Sequence, residues 1–222
     1  MSEPSDRPAA RVRDMPAPRR SQGVTGPALR FVFAWPYRVI LAGLYRAGVR
    51  PWQLTIASLV LNAAAGGMLL AGDRSVAAVV LFLAGACDVF DGGVARLRGE
   101  EKRSGAFLDS VLDRVGDMLL FGCLFWVEAG DGHATNAVLA LATLVTALAV
   151  SHIRAEAEAA GVTLTEGFFQ RLERYVALIL GLIVPGALTP MLVILVILGA
   201  VTVGQRMWSA LERIHERVSG SA

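Results

Sequence analysis

Residues 76–127 read VAAVVLFLAGACDVFDGGVARLRGEEKRSGAFLDSVLDRVGDMLLFGCLFWV, two apolar runs separated by the polar break LRGEEKRS. Each run approaches the roughly 20 residues that a bilayer core demands of a helix. The break is short, so the two segments read as antiparallel helices and are expected to be direct neighbours. Inside these runs lie Asp88, Asp91, Asp109 and Asp113. At 3.6 residues per turn, Asp88, Asp91, Gly92 and Ala95 share one stripe, and Gly105, Asp109, Asp113 and Gly116 share another. Carboxylates at such positions are expensive in hydrocarbon and point to function.

Outward from this pair, further apolar segments complete a set of six expected spans. They fall near Trp52–Ala71, Val76–Ala95, Ala106–Val127, Thr135–Ile153, Leu172–Val184 and Pro190–Trp208. The connectors Gly72–Ser75, Gly130–Ala134 and Pro185–Thr189 carry one cation, Arg74, while the other connectors and both ends hold the rest. Positive charge stays on the cytoplasmic side, so both termini and the acidic site are expected there. Residues 1–26 are rich in Pro, Arg and Ser and read as a disordered cytoplasmic tail without a signal-peptide core. Residues 27–50 carry Arg30, Arg38 and Arg46 among Trp35, Tyr37 and Tyr45. They read as an interfacial amphipathic helix, kinked at Pro36. Residues 51–210 form the expected catalytic membrane domain, and 211–222 a C-terminal cytoplasmic tail.

Composition agrees with this reading. The 222 residues are 55% hydrophobic and 18% charged, which excludes a disordered chain. Two cysteines cannot staple such a length, and a net charge of +2 argues against nucleic acid as a partner. The fold class expected is all-α, a polytopic membrane protein.

Four converging carboxylates repel one another unless a cation lies between them. Hard oxygen ligands suit Mg²⁺ or Mn²⁺. Zinc is disfavoured, because the three His and two Cys have no ligand spacing. Gly92, Ala95 and Gly105 remove bulk beside the acids and leave room for a ligand, and such an oxygen cluster can hold a diphosphate for displacement. A plainer reading pairs the acids with Arg96, Arg98 and Arg114 as structural ion pairs.

The pattern D-x2-D-G-x2-A-R-x8-G-x3-D-x3-D, met here at every position from Asp88 to Asp113, resembles the signature of the CDP-alcohol phosphotransferases. The resemblance implies a homodimeric membrane enzyme that displaces CMP from a CDP-linked donor such as CDP-diacylglycerol. It implies that Asp88, Asp91, Asp109 and Asp113 hold two divalent ions and that Asp113 is the general base. It also implies CDP contacts from Gly92, Ala95, Arg96 and Gly105, with Thr55 matching a family position near the nucleotide.

The segments Ser151–Gly161 and Gly167–Arg174, together with Gln205-Arg206, resemble the inositol-phosphate-using branch, which includes phosphatidylinositol phosphate synthases. The chain departs from that branch at His152, Glu156, Gln170 and Leu172. On this resemblance Arg154, Arg171, Arg174 and Arg206 would bind the phosphate of a polyol phosphate acceptor, as Arg suits bidentate phosphate binding. The same arginines are equally accounted for by snorkelling or by the charge bias of cytoplasmic loops. Three competing readings remain at this level: glycerol 3-phosphate or another alcohol as acceptor, a cation transporter using the acids as its pathway, and a non-catalytic scaffold. Asp117 would extend the acidic stripe or pair with a cation. Asn62 is expected to hydrogen-bond between helices, and Cys87 and Cys123 to pack as small apolar groups.

Overall fold

The computed structural model describes residues 26–100, 103–164 and 171–219, together with Val12. Among them are seven α-helices and no strand. These are α1 Gly26–Arg46, α2 Pro51–Leu70, α3 Arg74–Arg98, α4 Arg103–Gly130, α5 Ala134–Ala159, α6 Arg171–Ile183 and α7 Leu188–Ser219. The expected N-terminal tail, Val12 apart, and Gly167–Gln170 lie outside the described residues.

Local chemistry sets the helix ends. Pro51 opens α2, where its missing N–H costs nothing. Asp73 caps α3, its carboxylate accepting from the Val76 amide at 3.0 Å. Gly99 ends α3 in the left-handed region at φ 63°, and its amide donates back to the carbonyls of Ala95 and Arg96. That reversal starts the chain back toward α4. The α1 helix runs through Pro36 without ending there.

Helices α2, α3, α5 and the Leu188–Arg217 part of α7 are long and apolar enough to cross a membrane. The α4 helix is 28 residues long, but its acids dilute its apolar character. The described α6 has 13 residues, about 20 Å at 1.5 Å per residue. Phe82, Trp126, Val138 and Ile197 point outward and are more than half exposed. A bundle dissolved in water would not carry such a surface, whereas lipid is its natural solvent. The protein is an integral membrane protein.

The core gathers Leu69, Leu81, Phe121, Leu124, Leu178 and Leu192 from α2, α3, α4, α6 and α7. Small residues let the helices approach closely: a Cβ at Gly66 would lie 2.9 Å from Cys123 Sγ, and one at Gly85 would lie 2.9 Å from the Tyr175 ring. The bundle end opposite the aspartates is tied by Glu128, whose side chain is fully buried. It accepts from Arg74 at 2.6 Å and from Asn136 at 2.7 Å, and Thr189 donates to Asn136 at 2.7 Å. One carboxylate thereby links the ends of four helices.

The packing corrects one expectation. The backbones of α3 and α4 stay apart, with no Cα pair within 8 Å among the described residues, while α2 packs against both and α6 packs against α3. Ser58, Asn62, Ala65 and Gly66 give α2 a narrow face that fits between them. The two acidic stripes therefore face each other across a cleft. A second difference concerns the C-terminus, where α7 continues as helix to Ser219. There Arg213 donates to the Thr163 carbonyl at 2.7 Å, Arg217 donates to that of Gly161 at 2.5 Å, and Ala210 packs on Ala157, Val162 and Leu164.

Candidate active site

The aspartates lie toward one end of the bundle, since Asp88 and Asp91 are in the last half of α3 and Asp109 and Asp113 in the first half of α4. This does not resemble a pathway centred on the bilayer midplane. Asp88, Asp91 and Asp109 each offer a carboxylate oxygen, and the three oxygens lie within 4.8 Å of one another. Asp91 is 7% exposed and held from behind, its Oδ2 accepting from the Thr55 hydroxyl at 3.1 Å. That hydroxyl also lies 3.2 Å from the Pro51 carbonyl. Thr55 thus orients a carboxylate, where the sequence suggested a nucleotide contact.

Asp109 supplies the direct sign of a missing partner, because its Oδ1 is buried without a hydrogen bond. A buried carboxylate oxygen left unpaired is costly. Three converging carboxylates, one of them orphaned, fit a hard divalent cation.

Asp113 lies outside this group of three. It pairs with Arg171, whose Nη1 also donates to Asp88 Oδ1 at 2.9 Å and whose Nε lies 3.7 Å from Asp117. Arg171 continues inward, donating from Nη2 to Tyr175 Oη at 2.9 Å, and Tyr175 donates to Asn62 Oδ1 at 2.7 Å. Asn62 in turn donates to the Ser58 carbonyl at 2.9 Å. The chain from Ser58 to Asp88 is continuous and links α2, α6 and α3. Asn62 bonds between helices as expected. The part played by Tyr175 was not foreseen, although its position one turn after Arg171 on an apolar helix is a readable signal.

The arginines separate into groups. Arg174 is buried and donates to Asp117 Oδ2 at 2.9 Å, which settles the partner of Asp117. Arg206 donates to the Val150 carbonyl at 3.0 Å and lies within electrostatic reach of Arg154 and Arg174. Arg154 is exposed and pairs with Glu158 at 2.8 Å. Arg171 and Arg174, one turn apart on α6, both approach Asp117, and Arg171 reaches on to Asp88 and Asp113. The plainer ion-pair reading fails in its particulars. Among the described residues Arg96, Arg98 and Arg114 form no salt bridge with the four aspartates. Arg98 covers the Tyr45 ring, and Arg114 reaches the carbonyls of Ser110 and Ser151.

The small residues leave space. A Cβ at Gly92 would meet only the Arg96 guanidinium, at 3.6 Å, and one at Gly105 would meet nothing within 4 Å. The face beside the three carboxylates is therefore open, with Arg96 over it, and a phosphate-bearing ligand can approach the α3 backbone there.

Comparison with known proteins gives concordant matches. A family model described as CDP-alcohol phosphatidyltransferase matches residues 49–210. The phosphatidylinositol phosphate synthase of Mycobacteroides abscessus is 32% identical over 197 residues, covering 83% of this chain and 87% of that protein. The archaetidylinositol phosphate synthase of Methanothermobacter thermautotrophicus is 32% identical over 166 residues, covering 72% and 83%. Crystal structures of the Mycobacterium tuberculosis phosphatidylinositol phosphate synthase superpose with TM-score 0.68 at 30% identity. One has CDP-DAG bound, covering 78% of this chain and 92% of that one; another is in complex with manganese and citrate, covering 78% and 88%.

Proposed function

The chain belongs to the CDP-alcohol phosphatidyltransferase family, and from that premise we propose that it moves a phosphatidyl group from CDP-diacylglycerol to a hydroxyl of inositol phosphate, releasing CMP. The observation that carries this reading is the group of oxygens from Asp88, Asp91 and Asp109 within 4.8 Å, together with the buried Asp109 Oδ1 that has no hydrogen bond. These three carboxylates would hold one divalent ion, Mg²⁺ or Mn²⁺, and Asp113 is the fourth that a second ion requires. Held by these residues, such an ion would supply neutralisation of the charge that develops on the departing CMP phosphate.

The chain's own residues divide the remaining work. Gly92, Ala95 and Gly105 admit the CDP moiety, and Arg96 takes a phosphate oxygen. Thr55 fixes Asp91. Arg154, Arg174 and Arg206 draw in the acceptor phosphate, with Arg171 between them and the acids. Asp113 takes the proton from the attacking hydroxyl as the new P–O bond forms and the bond to CMP breaks. The proposed route is a single displacement at the β-phosphorus, with inversion, and the lack of a Ser, Cys or His at the fixed positions of the motif is consistent with it. A position at the membrane surface suits a donor whose acyl chains stay in lipid. Six spans, cytoplasmic termini and site, and a homodimer complete the reading, with α4 and α6 as the two further spans.

The test is CMP release from CDP-diacylglycerol by the purified protein with Mn²⁺ or Mg²⁺, across inositol phosphate, glycerol 3-phosphate and free inositol. Metal-dependent release that is fastest with inositol phosphate is expected. Preference for glycerol 3-phosphate would overturn the acceptor, and release of no CMP with any acceptor would overturn the reaction.

A further inference from the structure

Among the described residues, the interfacial helix α1 meets the bundle at the end of α3 that carries the aspartates, where Tyr37, Leu41 and Ala42 cluster with Val94 of α3 and Leu54 of α2. The Tyr37 ring stacks on Phe90 at 5.2 Å with 13° between planes. Tyr37 and Leu41 both press on Gly93, where a Cβ would overlap the Tyr37 hydroxyl and the Leu41 side chain. Gly93 occupies a variable position of the aspartate motif, so this chain uses it to seat α1. Its neighbour Gly92 faces the open side beneath Arg96.

Tyr37 is only 6% exposed, and its hydroxyl finds no acceptor; the group facing it is the Arg96 guanidinium, which can only donate. Packing alone does not account for that hydroxyl, since Phe fills the same space without burying a polar atom. Burial pushes the Tyr37 phenol up, while the nearby Arg96 guanidinium pulls it back, and the Asp91 carboxylate adds a smaller push upward. The hydroxyl rests against Gly93, and the Arg96 guanidinium that it faces borders Gly92 on the open side. A phenol that has lost water and lacks a protein acceptor is matched by a strong anionic acceptor, and phosphate oxygens are such acceptors.

We propose that Tyr37 is part of the donor site, its hydroxyl donating to a phosphate oxygen of the CDP diphosphate alongside Arg96. This rests on the reading of Gly92, Ala95 and Arg96 as donor contacts. It also gives α1 a role beyond anchoring, because a helix lying on the membrane surface would carry one wall of the nucleotide site.

The experiment uses full-length protein in lipid nanodiscs with Mn²⁺, as wild type, Tyr37→Phe and Phe90→Leu. CDP binding is followed by calorimetry, and KM is measured separately for CDP-diacylglycerol and for the acceptor. Tyr37→Phe should weaken CDP binding and raise the donor KM about tenfold, the usual consequence of losing one hydrogen bond to a charged group. The acceptor KM should stay within about twofold, and the nucleotide-free thermal midpoint should not fall. Phe90→Leu, which disturbs packing and keeps the hydroxyl, should lower the midpoint with a smaller change in CDP affinity. Wild-type CDP affinity in Tyr37→Phe overturns the inference and leaves the donor-site reading intact. If the wild type neither binds CDP nor releases CMP, the donor-site reading itself fails.

Discussion

Replacing Thr55 with Val probes the acidic cluster without touching a ligand. The residue is 8% exposed and Val nearly matches its shape, so the perturbation is the loss of one hydroxyl. That hydroxyl has a single proton, shared between Asp91 Oδ2 at 3.1 Å and the Pro51 carbonyl at 3.2 Å. A hydrogen bond to a charged group contributes about 1.5–3 kcal/mol. Sharing places Thr55 near the lower end, about 1.5 kcal/mol, which is roughly a tenfold change in an equilibrium constant. Removing partners that orient metal ligands costs about 10–100-fold in affinity, so two separate scales meet near tenfold. The assay is Mn²⁺ titration by calorimetry or by the electron paramagnetic resonance of free Mn²⁺, neither of which depends on turnover. Thr55→Val should bind Mn²⁺ about tenfold more weakly, and Thr55→Ser, which keeps the hydroxyl, should restore most of the loss. At saturating Mn²⁺ the kcat of Thr55→Val should approach wild type. Unchanged Mn²⁺ affinity in Thr55→Val would refute the reasoning, as would an equal loss in Thr55→Ser.

Further outcomes follow from other contacts. Asp109→Asn removes a cluster ligand and should abolish metal-dependent CMP release while the helical circular dichroism is kept; retained release would remove Asp109 from the metal site. Asp117→Ala leaves the buried Arg174 without its partner and should cost about 3–5 kcal/mol of stability, read as a lower thermal midpoint in detergent. The double variant Asp117→Leu/Arg174→Met should recover the midpoint yet keep a raised acceptor KM, separating structure from binding. Glu128→Gln should lower the midpoint by an amount corresponding to about 1–2 kcal/mol, since Arg74 is partly exposed and its pairing is screened. Its donor and acceptor KM should be unchanged, because the Glu128 network lies at the bundle end opposite the aspartates. Gly85→Leu should displace the Tyr175 ring, which would lie 2.9 Å from a Cβ there, and weaken acceptor use through Arg171. A wild-type acceptor KM in that variant would disconnect Tyr175 from the site.

Much of the molecule was legible in the order of its residues. Span-length apolar runs must become helices in lipid, because each backbone amide needs an internal partner. The helix boundaries accordingly fall within a few residues of the expected spans, apart from the extensions of α5 to Ala159 and of α7 to Ser219. The aspartates were legible for the same reason, as charges where a bilayer tolerates them only with a purpose. Their spacing on two stripes follows from helix geometry alone. Glu128 is not legible in the sequence, since a lone acid at a span end reads as surface; only packing shows that it is buried and ties four helices.

What the linear chain determined is periodic and local: helices, their lengths, the stripe that each acid occupies, and the family to which the motif belongs. The tertiary structure alone decided how those stripes meet. It inserted α2 between α3 and α4, made Thr55 the support of Asp91, and left Asp109 Oδ1 unpaired. It drew Arg171 to Asp88 and Asp113, and Arg174 to Asp117. Partner choice among several arginines and several carboxylates depends on distances between elements 58 to 83 residues apart in sequence. No local pattern encodes those distances; they are fixed by which small residues let which helices approach.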